Sequence, residues 1–182
     1  KDRAGKATGS MASAIVAKIK TGEAAARRDY RIQLVTERLT GAPAEDGFIN
    51  KEMQWGTDTE PFARMAYESA TGQMVRESGF VYLQSMSAGC SVDGFIEGGG
   101  LMELKCPKSS THIEYIQGGK LPSKYAPQVT HNLLVTGEPF ADFASFDPRM
   151  PEGLQLFMVR VNRDDVDIEG YKKELMAFLA EV

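Results

Sequence analysis

Glu97-Gly98-Gly99-Gly100 restricts the fold of this chain more than any other stretch. Three glycines in a row between apolar runs read as a tight turn, since glycine weakens both helix and strand interiors. The flanking β-rich runs, 86–96 and 100–106, then fold back on each other as a hairpin. Folding back brings Asp93 beside Glu103. Residues 103 and 105 share one strand face, because side chains alternate with period two. Two carboxylates and the Lys105 ammonium therefore converge on one edge, a layout suited to divalent-metal phosphodiester hydrolysis.

The rest of the chain supplies helices around this hairpin. Residues 8–20 open with an N-cap and predict a short amphipathic helix. A basic-sided helix is expected over 22–40, ending at Gly41, followed by a polar loop near 42–51. A third helix is expected over 57–71, with Phe62, Ala63, Met65, Ala66 and Tyr67 as its apolar stripe and Gly72 as its cap. The pattern then predicts strands at 79–84, 140–146 and 154–162 and helices at 109–117, 124–136 and 165–181. Helices flanking one central mixed sheet give an α/β (α+β) class. No repeat, low-complexity segment or linker interrupts the sequence, so residues 1–182 are expected to form one domain.

The composition excludes little. The 182 residues are 42% hydrophobic and 25% charged, ordinary for a globular domain. No run of eighteen apolar residues is present, so no membrane span is expected. Lys1-Asp2-Arg3 has no apolar stretch behind it, which predicts the absence of a secretory signal and a cytoplasmic location. The absence of a starting Met leaves room for residues upstream. Cys90 and Cys106 are too few for a disulfide framework and are expected to be reduced, buried small hydrophobes. A net charge of -4 does not suggest nucleic acid. Nor does it exclude it, because bound cations offset clustered carboxylates.

Hydrolysis of a phosphodiester needs an attacking hydroxide, in-line geometry and neutralisation of charge on the leaving oxygen. One or two Mg²⁺ ions (or Mn²⁺) supply these when oxygen ligands hold them with positions left open. Asp93 and Glu103 are hard oxygen donors, and the carbonyl of Leu104 is a further candidate ligand. Lys105 is suited to orienting or deprotonating the attacking water. The competing reading is an exposed hairpin with solvated side chains. Against it stand the apolar Leu101, Leu104 and Cys106, which suit a central strand, the hairpin-compatible distance of Asp93, and a further acid, Glu60, at the start of the helix behind Trp55-Gly56.

These residues resemble a known family. Asp93 with Glu103-Leu104-Lys105-Cys106-Pro107 resembles the core of the PD-(D/E)xK nucleases, a restriction-endonuclease-like fold. More narrowly, the chain resembles the phage lambda exonuclease and YqaJ-type viral alkaline exonuclease family. The stretches that carry this likeness are Trp55-Gly56-x-x-x-Glu60-x-x-Ala63-Arg64, Cys90-Ser91-x-Asp93-Gly94, Tyr125-x-x-Gln128-Val129, Val135-Thr136 and Phe146-Asp147-Pro148-Arg149-Met150. Val92 replaces the proline that names the superfamily, and Thr111 stands where the family has a basic residue.

The resemblance implies a 5′-to-3′ exonuclease that degrades one strand of linear double-stranded DNA to mononucleotides and leaves a 3′ overhang. It implies Asp93, Glu103 and the Leu104 carbonyl as metal ligands, Glu60 and Gln128 completing the site, and Lys105 as the catalytic lysine. It places Arg3, Ser10 and Ser91 at a pocket for the 5′-phosphate. Homotrimeric rings around DNA, a single-strand annealing partner protein and a phage or prophage origin in a bacterial host also follow from it. Met53 stands where the family has an apolar wedge, or else packs beside Trp55, itself expected in the core. Arg27, Arg28 and Arg31 either line a DNA channel or are solvated. His112 and His131 show no ligand spacing and read as structural or surface histidines, with His112 near enough to touch DNA. An endonuclease of the superfamily and a non-catalytic DNA-end binding module remain the alternatives.

Overall fold

The hairpin closes on its three glycines. Gly98, Gly99 and Gly100 have φ of 91°, 115° and 99°, angles that a residue with a Cβ rarely adopts. The Ile96 N–H donates to the Gly100 carbonyl over 3.0 Å. A Cβ on Gly100 would also fall 2.3 Å from the Phe140 ring. The computed structural model describes residues 3–44 and 50–182, so 45–49 of the expected loop lie outside the described residues.

In chain order the elements are strand β1 (Ala7–Thr8) and helices α1 (Ala12–Ile15), α2 (Ala25–Thr40) and α3 (Lys51–Thr71). Strands β2 (Val75–Arg76), β3 (Val81–Leu83), β4 (Ala88–Cys90), β5 (Gly94–Ile96) and β6 (Leu101–Lys105) follow. Helices α4 (Ser109–Gly118) and α5 (Ala126–Thr136), strands β7 (Phe140–Phe146) and β8 (Leu156–Asn162), and helix α6 (Ile168–Ala180) complete the chain.

The strands form two sheets rather than the single one expected. The larger has the order β2-β5-β6-β7-β8, the smaller β1-β4-β3. The run 86–96 contributes to both, as β4 in one and β5 in the other, with Ser91, Val92 and Asp93 at the crossing. Period-two alternation cannot reveal such a change of sheet. Strands β6 and β7 are parallel, with Glu103 opposite Phe143 and Lys105 opposite Ser145. A parallel pair requires a crossover connection, and α4 and α5 supply it. Both strands are almost wholly buried, as central strands covered on both faces are.

Side-chain alternation along β6 then sorts the core. Met102 and Leu104 face α3, where they pack with Ala63, Tyr67, Ala144 and Phe146. Leu101 belongs to the larger cluster with Val129 and Leu133 of α5, Tyr30 and Leu34 of α2, and Leu175 and Phe178 of α6. Each large apolar side chain buried there contributes about 1.5–3 kcal/mol. Helix α5 lies at the centre of this arrangement, with six of its eleven residues buried.

The predicted first helix is much shorter than 8–20. A 3-10 turn, Gly9–Met11, leads into the single turn of α1. Tertiary packing overrides helical propensity here: a Cβ on Gly9 would lie 2.2 Å from Asn132 Oδ1. Ser10 is exposed and caps nothing; its hydroxyl lies 3.4 Å from that of Thr8. Helix α3 starts six residues earlier than the apolar stripe suggests, because the Asn50 side chain accepts the Met53 N–H at 2.8 Å and caps it.

Both histidines are structural. His131 Nε2 donates to the Gly89 carbonyl (3.0 Å) and Nδ1 accepts from the Tyr171 hydroxyl (2.8 Å). Burial holds its pKa down to about 4, so the ring is neutral. His112 is likewise fixed between Ser145 and the Leu154 carbonyl. Arg27 and Arg31 pair with Glu23 and with Glu181 at the end of α6, a staple between α2 and α6. Among the described residues no helix is long and apolar enough to cross a membrane.

Candidate active site

The hairpin places Asp93 and Glu103 as the register requires. The Asp93 N–H donates to the Met102 carbonyl over 3.2 Å, and its carboxylate accepts the Leu104 N–H at 2.6 Å. Glu103 is 1% exposed and meets three side-chain donors. Its Oε1 accepts from the Lys105 ammonium and from Gln128 Nε2, the latter at 2.5 Å. Its Oε2 accepts from Asn132 Nδ2 at 3.0 Å. Gln128 and Asn132 lie one turn apart on α5 and so face β6 together. Asn132 was not singled out from the sequence, although its i+4 spacing from Gln128 was the available signal.

Glu60 comes from α3, half-buried, with Arg64 at 3.4 Å. Burial raises its pKa, and the Asp93 charge raises it further. Burial likewise raises Asp93, against the pull of Lys105. Glu103 is raised first by burial and then by Asp93. For Lys105, burial opposes the charged form, but the Glu103 and Asp93 carboxylates outweigh it and hold the ammonium above its usual range. One lysine thus faces carboxylates that disfavour one another's charge. This is an excess of negative charge that a hard cation relieves.

Among the described residues no three His, Cys, Asp and Glu side chains converge as a ready cluster for a metal. The donors that fit are two carboxylates, Asp93 and Glu103, beside the backbone of Leu104, with Glu60 nearby. These are oxygen donors of the type that Mg²⁺ takes, and Mg²⁺ needs few protein ligands because it keeps several waters.

The site opens into a cleft of about 760 Å³ bordered by Glu60, Asp93, Leu104, Lys105 and Met53. Lys51, Lys108, Lys124 and Arg149 also border it, a basic rim on an acidic protein. Trp55 is in the cleft wall rather than the core, with the Arg149 guanidinium 4.5 Å from its ring centre. Tyr125 borders the same cleft, with Lys124 at 5.0 Å and Lys105 at 5.3 Å from the centre of its ring. Met53 is 53% exposed, which favours the cleft over packing. Cys106 borders the cleft instead of being fully buried. Burial lifts both thiols to about 12, so neither is a nucleophile at neutral pH.

Arg3 and Ser10 are not part of this cleft. They border a separate cavity of about 340 Å³ together with Lys6, Thr8 and Tyr30. Arg3 nevertheless reaches the segment before Asp93, donating to Ser91 Oγ at 2.5 Å. Ser91 is two residues from Asp93, so this hydrogen bond ties a residue of the cavity to the crossing between the two sheets.

The model of the YqaJ-like viral recombinase domain family matches residues 1–139. The alkaline exonuclease LHK-Exo from Laribacter hongkongensis is similar in structure, with 39% identity, a TM-score of 0.88, and 98% of this chain and 88% of that one covered. LHK-Exo in complex with dAMP gives a TM-score of 0.89 at the same identity and coverage. A phage-related exonuclease from Haemophilus somnus 129PT shares the fold at 12% identity, with a TM-score of 0.70 over 97% of this chain and 91% of that one. No curated protein matches the chain in sequence.

Proposed function

Since the chain belongs to the YqaJ-like viral recombinase domain family, we propose that it is a 5′-to-3′ exonuclease of linear double-stranded DNA. It releases mononucleotides and leaves a 3′ single-stranded overhang. The observation that carries this reading is that Glu60, Asp93 and Lys105 border one basic-rimmed cleft, with the Glu103 carboxylate buried behind them and bonded to Lys105. The alkaline exonuclease identity of the 39% relative supports it, and the dAMP bound to that relative is a mononucleotide, the product class proposed here.

In this reading Asp93, Glu103 and the Leu104 carbonyl, with Glu60, hold one or two Mg²⁺ ions, for which Mn²⁺ substitutes. When bound, the metal lowers the pKa of the attacking water and neutralises charge on the leaving oxygen. Lys105 presents an ammonium, kept charged by its carboxylate neighbours, that orients the water and stabilises charge growing on the phosphoryl oxygens. Gln128 fixes Glu103. Lys51, Lys108, Lys124 and Arg149 attract the phosphate backbone, and Met53 at the cleft edge parts the terminal base pair.

Polarity comes from the second cavity. The Arg3 guanidinium, the Ser10 and Ser91 hydroxyls and Lys6 bind the 5′-phosphate, as charge-assisted donors do. A homotrimeric ring, a single-strand annealing partner and action in the cytoplasm of a phage-infected bacterium complete the proposal. They rest on family resemblance.

Arg3→Ala tests the polarity. The native chain is expected to degrade 5′-phosphorylated ends faster than 5′-hydroxyl ends. The variant is expected to lose about 10- to 100-fold of that preference, the worth of a hydrogen bond to a charged group. Rates on the two duplexes decide it, and an unchanged preference would place the phosphate elsewhere.

A further inference from the structure

Asn132 is 1% exposed, yet only half of its amide is used. Nδ2 donates to Glu103 Oε2 at 3.0 Å, while Oδ1 has no hydrogen-bond partner among the described residues. The assignment of nitrogen and oxygen follows from Glu103, because a carboxylate only accepts. A buried amide with an orphan oxygen is a poor core residue, and leucine of similar size would fill the space without that cost. The side chain is admitted only because Gly9 faces it, since any Cβ there would lie 2.2 Å from Oδ1. Gly9 is not among the positive-φ glycines, so its backbone does not demand glycine, whereas the close approach does.

We infer that Asn132 is a positioning residue for Glu103, and that Gly9 is the space that lets it reach. Gln128 and Asn132 grip opposite oxygens of one carboxylate from successive turns of α5. Gln128 alone leaves the carboxylate free to swing about its terminal torsion, which has no steep staggered wells. The second amide fixes the plane of the group. The N-terminal turn that carries Ser10 thereby packs directly on the side chain that orients Glu103. This inference rests on the nuclease reading of the site.

The test is Asn132→Leu, studied in three ways: kcat and KM on linear duplex, melting temperature, and calorimetric binding of Mn²⁺ to the DNA-free protein. The variant is expected to lose about 10- to 100-fold in both kcat and Mn²⁺ affinity, the usual loss when a supporting hydrogen bond to a ligand is removed. KM for DNA should stay within about twofold, and melting should fall only modestly, because Glu103 Oε2 loses this donor while the orphan amide oxygen is removed with it. Gly9→Ala is expected to lower kcat in the same direction by displacing the amide. Native kcat and Mn²⁺ affinity in Asn132→Leu would overturn the inference. So would failure of the leucine variant to fold, since the residue would then serve the core. A native chain that releases no nucleotides at all would instead defeat the nuclease reading.

Discussion

Lys105→Met is expected to slow mononucleotide release from linear duplex DNA by about 10³-fold or more, within the range for removing a charged group that acts in the transition state. Methionine keeps most of the unbranched stem and removes only the ammonium. DNA binding should change little, because Lys51, Lys108, Lys124 and Arg149 remain on the rim of the cleft. Stability responds differently. Lys105 is the cation bonded to the buried Glu103 carboxylate, and breaking a buried ion pair by removing one partner costs about 3–5 kcal/mol. Protonation of Glu103 or Asp93 offsets part of that cost. The DNA-free variant should therefore melt below the native chain, and added Mg²⁺ should raise its melting temperature more than it raises the native one. Single-turnover digestion together with melting curves at several Mg²⁺ concentrations reads both effects. Activity within tenfold of native would remove Lys105 from the chemistry.

Glu103→Gln separates charge from shape. Glutamine has one oxygen and one NH₂ where glutamate has two acceptors. Its oxygen can still accept from Lys105 and Gln128. Its NH₂ then faces Asn132, whose amide turns over so that Oδ1, now without a partner, accepts. The hydrogen bonds are kept, a desolvated negative charge is removed, and the Lys105 ammonium retains Asp93 as a neighbouring charge. Melting is expected to stay within about 4 °C of native, equivalent to about 1 kcal/mol for a chain of this size. Hydrolysis is expected to fall by about 10³-fold, the scale on which removing one electrostatic stabiliser acts. A folded variant with native activity would show that the carboxylate charge is not needed; an unfolded one would show that the hydrogen-bond exchange does not occur.

Much of the site is local in sequence and was legible for that reason. The three glycines demand a reversal, the reversal pairs Asp93 with the 103 region, and alternation sets 103 and 105 on one face. Glu60 and Gln128 were placed by motif resemblance rather than by pattern, because nothing in period or spacing says that α3 and α5 meet the hairpin. Asn132 escaped notice altogether. An asparagine within an apolar helix reads as a minor irregularity until β6 is placed against it. Trp55 read as core because large aromatics usually are, yet the Arg149 guanidinium takes one of its faces at the cleft wall.

The fold was read well where apolar period and length agree, as in α2, α5, β7 and α6. It was misread where tertiary contacts override local preference. The 8–20 segment has helical composition, but Gly9 must touch Asn132, and the chain gives up all but one turn. The 86–96 run reads as one β-rich stretch, yet it crosses from the small sheet to the large one at Ser91–Asp93. That crossing is where Arg3 meets the loop before Asp93. The feature least visible in the sequence thus joins the proposed end-recognition cavity to the proposed catalytic acids.

The most direct test of the whole account is digestion of two substrates of the same sequence in Mg²⁺, with products resolved by size. One is a linear duplex with 5′-phosphorylated ends, the other a covalently closed circle. The account predicts mononucleotides and a growing 3′ overhang from the linear duplex, and an intact circle. Cutting of the circle, or internal fragments from the linear duplex, would contradict it.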